Sequence, residues 1–351
     1  MIGLTPERIV EEIQGYHARL TEGMETLRNI GEIEAGVSPR DAVYREDKLT
    51  LYRYQPRVAQ PRPIPLLIVY ALVNRPYMMD IQEDRSMIRG LLEAGVDVYL
   101  IDWGYPDAGD RGLTLGDYIH RYIAHCVDHL RERCQQESIN VLGVCQGGAL
   151  SLCFSALYPE KVRNLVTMVT PVDFHTPDNL LTHLIRHVNI DLLIDTLGNL
   201  PGAMLNFAFL SLSPFRLAGQ KYVDLVDILD DVGALKNFLR MEKWINDSPD
   251  QAGEAFRQFA KDFFQRNKLI RGEVVIGDRR VDLHRLTMPI LNVYATQDHL
   301  VPPAASKALA GLHDSRDYSE LSFRGGHIGI YVSGRAQREI PPAIADWLLA
   351  R

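Results

Sequence analysis

The apolar run Ile139-Asn140-Val141-Leu142 leads directly into Gly143-Val144-Cys145-Gln146-Gly147-Gly148, and the small-residue stretch Gly148-Ala149-Leu150-Ser151-Leu152 leads out of it. This order predicts a strand, a sharp turn and a helix, with a cysteine at the apex. It is the G-x-Nu-x-G pattern of a nucleophile elbow, carrying cysteine where most such sites carry serine. Strand and helix can approach that closely only if the residues two before and two after the apex are tiny. Gly143, Gly147 and Gly148 meet that requirement. The free N–H groups and dipole of the following helix favour a thiolate at Cys145 and an oxyanion beside it. The plainer reading of the same residues is a buried cysteine in a glycine-rich turn.

A nucleophile needs a base and an acid, expected in the order nucleophile, acid, base. Pro289 to Ala295 reads as a buried strand followed by the loop Thr296-Gln297-Asp298-His299-Leu300-Val301-Pro302-Pro303. Tyr318 to Phe323 alternates like a short strand and runs into Arg324-Gly325-Gly326-His327-Ile328-Gly329. Asp298 and His327 thus each follow a strand, and with Cys145 they compose a Cys–His–Asp triad. His299 competes for the role of base, but its neighbour Asp298 could not readily orient it, because adjacent loop side chains diverge.

The fold class expected is α/β: an α/β-hydrolase fold with a mostly parallel, doubly wound sheet. Leu66 to Tyr70 and Val96 to Ile101 are nearly continuous apolar runs typical of central parallel strands. Residues 81–94 and Leu115 to Arg133 suit helices between strands. Lys48 to Tyr54 alternates as a half-exposed strand, and Pro56 to Pro65 is a proline-rich joint. At the N-terminus, Thr5-Pro6-Glu7 starts a helix with Ile9, Ile13, Tyr16, Leu20, Met24 and Leu27 on one face. That face either packs on the body or offers a partner surface. The catalytic core is assigned to 1–174 and 287–351, with 1–45 as an N-terminal helical extension.

Residues 175–286 break the strand–helix rhythm and read as a helical cap inserted before the strand that leads to Asp298. Leu180 to Ile185, Ile190 to Ile194 and Met204 to Leu210 are helix-like, and Ser248-Pro249-Asp250 reads as the cap of a helix carrying Phe256, Phe259, Phe263 and Phe264. Such a cap excludes water and shapes an acyl pocket. His183 and His187 stand four apart, yet no glutamate and no third ligand accompany them, so no metal is expected. Gly277-Asp278 reads as a hairpin turn. The loop Ala71 to Tyr77 follows a central strand, where one oxyanion donor usually originates; the backbone N–H groups of Val73 and Gln146 are the expected pair, against the alternative of a plain connection. Asn74 and Arg75 either hold that loop or touch a substrate phosphate.

Composition sets outer limits. A net charge of −7 without a basic run argues against nucleic-acid binding. No apolar run reaches the roughly 18 residues of a spanning helix, and Met1 to Arg8 lacks a signal-peptide layout. Four cysteines (Cys126, Cys134, Cys145, Cys153) form no metal-type pair and suit a reduced, cytoplasmic setting.

Taken together, these strings resemble the catalytic subunit of class III polyhydroxyalkanoate synthases, the two-component short-chain type. The likeness runs along essentially the whole chain, through Ala71 to Asp80 (ALVNRPYMMD), Tyr99 to Pro106 (YLIDWGYP), GVCQGG around Cys145, Val169 to Phe174 (VTPVDF), Gln297 to Pro303 (QDHLVPP) and Gly325 to Ser333 (GGHIGIYVS). The resemblance implies that Cys145 carries the growing chain as a thioester, with Asp298 and His327 as its partners. It further implies (R)-3-hydroxyacyl-CoA substrates of three to five carbons, no cofactor (coenzyme A being only the leaving group), a homodimer, an E-type partner subunit and residence on cytoplasmic polyester granules. Two other classes share the elbow: a cysteine-dependent thioesterase, lactonase or depolymerase, and a non-catalytic granule or partner-binding protein.

Overall fold

The structure, a computed structural model, describes residues 28–212 and 225–351 together with Val10 and Gln14. Apart from those two positions, the amphipathic helix expected over Thr5 to Leu27 lies outside the described residues. Eight strands form one sheet: β1 (Arg40–Glu46), β2 (Leu49–Tyr54), β3 (Leu66–Val69), β4 (Val98–Asp102), β5 (Ile139–Val144), β6 (Val162–Met168), β7 (Ile290–Ala295) and β8 (Tyr318–Phe323). Their order across the sheet is β1-β2-β4-β3-β5-β6-β7-β8. β2 is antiparallel to both neighbours, and every pairing from β4 through β8 is parallel. This is the mostly parallel α/β sheet that the apolar runs predict.

The strand period of two divides the core between the sheet's faces. Leu67 and Val69 point into one apolar cluster with Tyr99, Ile101, Val141 and Phe154. Leu66 and Ile68 point into the other with Leu100, Leu142, Val144 and Val293. Around the sheet lie α1 (Met87–Glu93), α2 (Ala124–Cys134), which continues the π-helical stretch Asp117–Ile123, and α3 (Gln146–Leu157), buried along its whole length.

Between β6 and β7 come α4 (Leu180–Ile185), α5 (Ile190–Leu197), α6 (Gly202–Ser211), α7 (Val232–Asn246) and α8 (Gly253–Gln258). α9 (Pro303–Lys307), α10 (Gly329–Val332) and α11 (Gly334–Leu349) follow β7 and β8. Phe259 and Phe263 join the sheet's own core, Phe259 stacked on Phe263 at 4.5 Å and Phe174 edge-on to both. The part of the insertion from Ala252 onward is therefore continuous with the core.

Four expectations need correction. The helix foreseen over residues 81–94 begins only at Met87, because Asp80–Gln82 and Arg85–Ser86 pair as a small hairpin. Buried Asp80 holds that hairpin extended by accepting the Ser38 N–H (2.7 Å), the Ser38 hydroxyl (2.8 Å) and the Ser86 hydroxyl. The end of the helical extension expected over 1–45 is instead strand β1, which turns into β2 through Asp47 at φ 50°. β2 is also more buried than half-exposed, since it is paired on both edges. Ser248-Pro249-Asp250 does not cap α8; Asp250 accepts the Gly202 N–H (2.9 Å) and so serves the start of α6. The Gly277 turn does form a hairpin, Val275–Ile276 against Arg279–Arg280.

Candidate active site

Cys145 occupies the apex between β5 and α3 with φ 53° and ψ −122°, a conformation that L residues with side chains rarely adopt. The glycines explain how the chain tolerates it. A Cβ on Gly143 would lie 2.6 Å from the Gly148 Cα, one on Gly147 would lie 2.3 Å from the Val69 carbonyl oxygen, and one on Gly148 would lie 1.8 Å from the Thr170 hydroxyl. Any side chain there would push helix and strand apart. The Cys145 N–H donates to the Met168 carbonyl (2.9 Å), which locks the apex against β6.

Asp298 is buried in the loop after β7. Its Oδ1 accepts the N–H groups of Leu300 (2.8 Å) and Val301 (2.9 Å). Its Oδ2 accepts from His327 Nδ1 at 2.7 Å. A carboxylate can only accept, so His327 carries a proton at Nδ1, and Nε2 is the ring nitrogen left to meet the sulfur. The two loops are tied by their backbones: Thr296 N–H donates to the Phe323 carbonyl (2.8 Å) and Gln297 N–H to the Gly325 carbonyl (2.9 Å). Burial disfavours charge on His327, but the Asp298 carboxylate and the Cys145 sulfur, also within hydrogen-bonding reach, outweigh it and push its pKa up to about 10. The structure thus brings Cys145, His327 and Asp298 together. His299 is exposed and takes no part.

The other thiols differ. Cys126 and Cys153 are fully buried in the core, and burial pushes both upward, Cys153 to about 12. Cys134 is partly buried beside Tyr99 and raised as well.

Gln146 is the first residue of α3, where backbone N–H groups lack intrahelical partners. Val73 packs at the edge of the apolar cluster that Cys145 also touches. Sequence reasoning missed what joins them: the Gln146 side chain accepts the Leu72 N–H at 3.1 Å, so the helix start holds the loop after β3 directly. A second tether uses Asn74 and Arg75, for which holding the loop is one of two expected roles, although sequence reasoning missed their partners. Asn74, at φ 57°, donates through Nδ2 to the Trp244 carbonyl (3.2 Å) and the Ser248 hydroxyl (2.7 Å), while Trp244 Nε1 donates to the Arg75 carbonyl (2.8 Å). Arg75 is engaged by Asp102 (2.8 Å) and the Gly104 carbonyl (2.9 Å). Asn74 and Arg75 therefore hold the loop. His183 Nε2 lies 3.1 Å from the Pro177 carbonyl, and no cluster of three or more metal-type ligands occurs among the described residues. Among those residues, no helix is long and apolar enough to cross a membrane.

Comparison with known proteins places this geometry. Residues 64–333 match the alpha/beta hydrolase fold family, and residues 7–91 match the N-terminal family of poly-beta-hydroxybutyrate polymerase (PhaC). Among solved structures, a putative lipase from Sulfolobus solfataricus (TM-score 0.56, 16% identity, covering 89% of this chain and 99% of that one) shares the fold. So does a monoacylglycerol lipase from Paleococcus ferrophilus (TM-score 0.54, 18% identity, covering 86% and 98%). Among curated proteins, the poly(3-hydroxyalkanoate) polymerase subunit PhaC of Allochromatium vinosum is 63% identical over 100% of this chain and 99% of its own length. That of Synechocystis is 57% identical over 98% and 94%. With identity this high from end to end, and an elbow whose apex is cysteine, the chain belongs to the poly(3-hydroxyalkanoate) polymerase PhaC family.

Proposed function

We propose that this chain polymerises (R)-3-hydroxyacyl-CoA thioesters through an acyl-cysteine at Cys145, with His327 as base and Asp298 as its orienting acid. The observation that carries this reading is the cysteine at the strained elbow, facing a buried histidine–aspartate pair, in a chain of this family.

The proton that the Cys145 sulfur shares with His327 rests on the imidazole Nε2 as the sulfur attacks the thioester carbonyl carbon. The developing oxyanion lies toward the N–H groups of Gln146 and Val73. The C–S bond to coenzyme A then breaks, and the imidazolium returns its proton to the departing thiolate. One thioester has replaced another, so the acyl group stays activated; a serine ester would be a poorer donor to the next alcohol. In the second half, His327 takes the proton of the 3-hydroxyl of another acyl-CoA. That oxygen attacks the acyl-cysteine, an ester forms, and Cys145 leaves and recovers the proton. The lengthened chain, still bound to coenzyme A, acylates Cys145 again. The orienting role of Asp298 is favoured over direct action on the hydroxyl, because the side chain is buried and its Oδ2 accepts from His327 Nδ1.

Water must be excluded for esters to accumulate, and the part of the insertion ahead of Ala252 is suited to that task as a cap. No cofactor enters any step. The relatives are named subunits, which supports a partnered enzyme; the E-type subunit of the two-component class, a homodimer and residence at the surface of cytoplasmic polyester granules complete the reading.

The test is to mix the purified chain with (R)-3-hydroxybutyryl-CoA, with and without an E-type subunit, following free CoA and product size. CoA release with insoluble polyester is expected. Release with only free 3-hydroxybutyrate would make the chain a thioesterase, and no release with the partner present would overturn the substrate assignment.

A further inference from the structure

A buried hydroxyl stands unpaired beside the Cys145–His327–Asp298 group. Tyr331, on α10, is 1% exposed, and its phenol oxygen has no hydrogen-bond partner. Buried tyrosine hydroxyls ordinarily find one, and an orphan donor calls for an explanation. Its ring meets the His327 imidazole edge to face, 6.1 Å between centroids at 78°. The same apolar cluster contains Tyr70, Val144 and Met168, with Val73, Cys145 and Ile328 at its margin. Tyr331 therefore belongs to the same packed layer as Cys145 and contacts the ring of His327. Burial, the Tyr70 phenol, the Cys145 sulfur and the Asp298 carboxylate all oppose its ionisation, so it is a neutral donor and not a base.

The polymerase reading, on which this inference rests, brings two acyl oxygens into the site. The carbonyl oxygen is assigned to main-chain N–H groups on the α3 side of Cys145. The 3-oxygen must instead reach His327, the imidazole that the Tyr331 ring meets edge to face. We propose that the Tyr331 hydroxyl donates a hydrogen bond to the 3-oxygen of the (R)-3-hydroxyacyl unit and so selects acyl groups that carry that hydroxyl. Its O–H engages a lone pair of the 3-oxygen and leaves the substrate's own proton directed at His327. As that proton moves, the same bond steadies the charge growing on oxygen. No proton is transferred to or from Tyr331.

The experiment compares wild type with Tyr331→Phe in the full chain with its E-type partner. Butyryl-CoA, which lacks the 3-hydroxyl, serves as the reference for acylation of Cys145. The preference for (R)-3-hydroxybutyryl-CoA over butyryl-CoA, measured as the ratio of second-order rate constants for release of the first CoA per enzyme, is expected to fall about tenfold or more. The melting temperature should hold or rise, because a buried unpaired hydroxyl has been removed. An unchanged ratio overturns the proposal. So does an equal loss on both thioesters, which would place the hydroxyl in service of the triad. A lowered melting temperature or loss of folding overturns it too, since the hydroxyl would then be structural. If wild type itself released no CoA from the 3-hydroxy substrate, it is the polymerase reading that would fall.

Discussion

Cys145 is held at φ 53° by its surroundings and not by its own preference. For a non-glycine residue such a conformation costs on the order of 1–3 kcal/mol and persists only where the structure over-determines it. Here the contacts that forbid side chains at Gly143, Gly147 and Gly148, together with the bond from the Cys145 N–H to Met168, supply that determination. Serine fits the same backbone, so Cys145→Ser should fold with an unchanged melting temperature. Its hydroxyl gives up a proton far less readily than a thiol, and the ester it forms is a weaker acyl donor. Polymer synthesis should therefore fall by about 10³-fold or more, read as CoA release and polymer mass. Synthesis at close to the wild-type rate would remove the case for a thioester intermediate.

The loop after β3 joins the start of α3 to the insertion between β6 and β7. It is gripped from below by the Gln146 side chain through Leu72, and from above by the end of α7 through Asn74 and Trp244. Tyr105 adds a bond to Asp247 at 2.7 Å just beyond α7. Asn74→Ala removes the upper tether without touching Cys145. If the loop positions an oxyanion donor, kcat should drop roughly tenfold to hundredfold with KM little changed, because small misplacements of reacting groups are expensive. Steady-state CoA release with far-UV circular dichroism as a folding control checks this; an unchanged kcat would leave the loop a plain connection. The same loop shows what a sequence can reveal. The strands leading to Cys145, Asp298 and His327 are legible because continuous apolar runs and glycine spacing are local signals. The tethers are not, since Gln146 lies 74 residues from Leu72 and Trp244 lies 170 from Asn74. Charged β1 hides for a related reason: Arg40–Glu46 becomes a strand through pairing with β2, not through its own apolar pattern. Helix α1 starts late because buried Asp80, answered by Ser38 from 42 residues away, keeps the preceding segment extended.

At the scale of the molecule, parallel pairing of β5, β6, β7 and β8 delivers residues 145, 298 and 327 to the carboxyl ends of their strands, the edge of an open α/β sheet where ligands bind. The placement makes the His327 proton one contributor to the stability of the fold. Folded His327 holds its proton until about pH 10, against an ordinary value of 6.5. Between those limits the native state binds more protons than the unfolded chain, so stability falls as pH rises. The contribution is complete below about pH 6.5 and is lost through about pH 10. His327→Gln keeps a hydrogen-bonding side chain but cannot carry the charge. The melting temperature of wild type should therefore exceed that of the variant most at pH 6, and the gap should narrow steadily toward pH 10. Titrating groups remote from His327, common to both proteins, cancel in the difference. A gap that stays constant or widens between pH 7 and 10 would mean that His327 is neutral in the resting fold. The imidazolium would then arise only as Cys145 reacts.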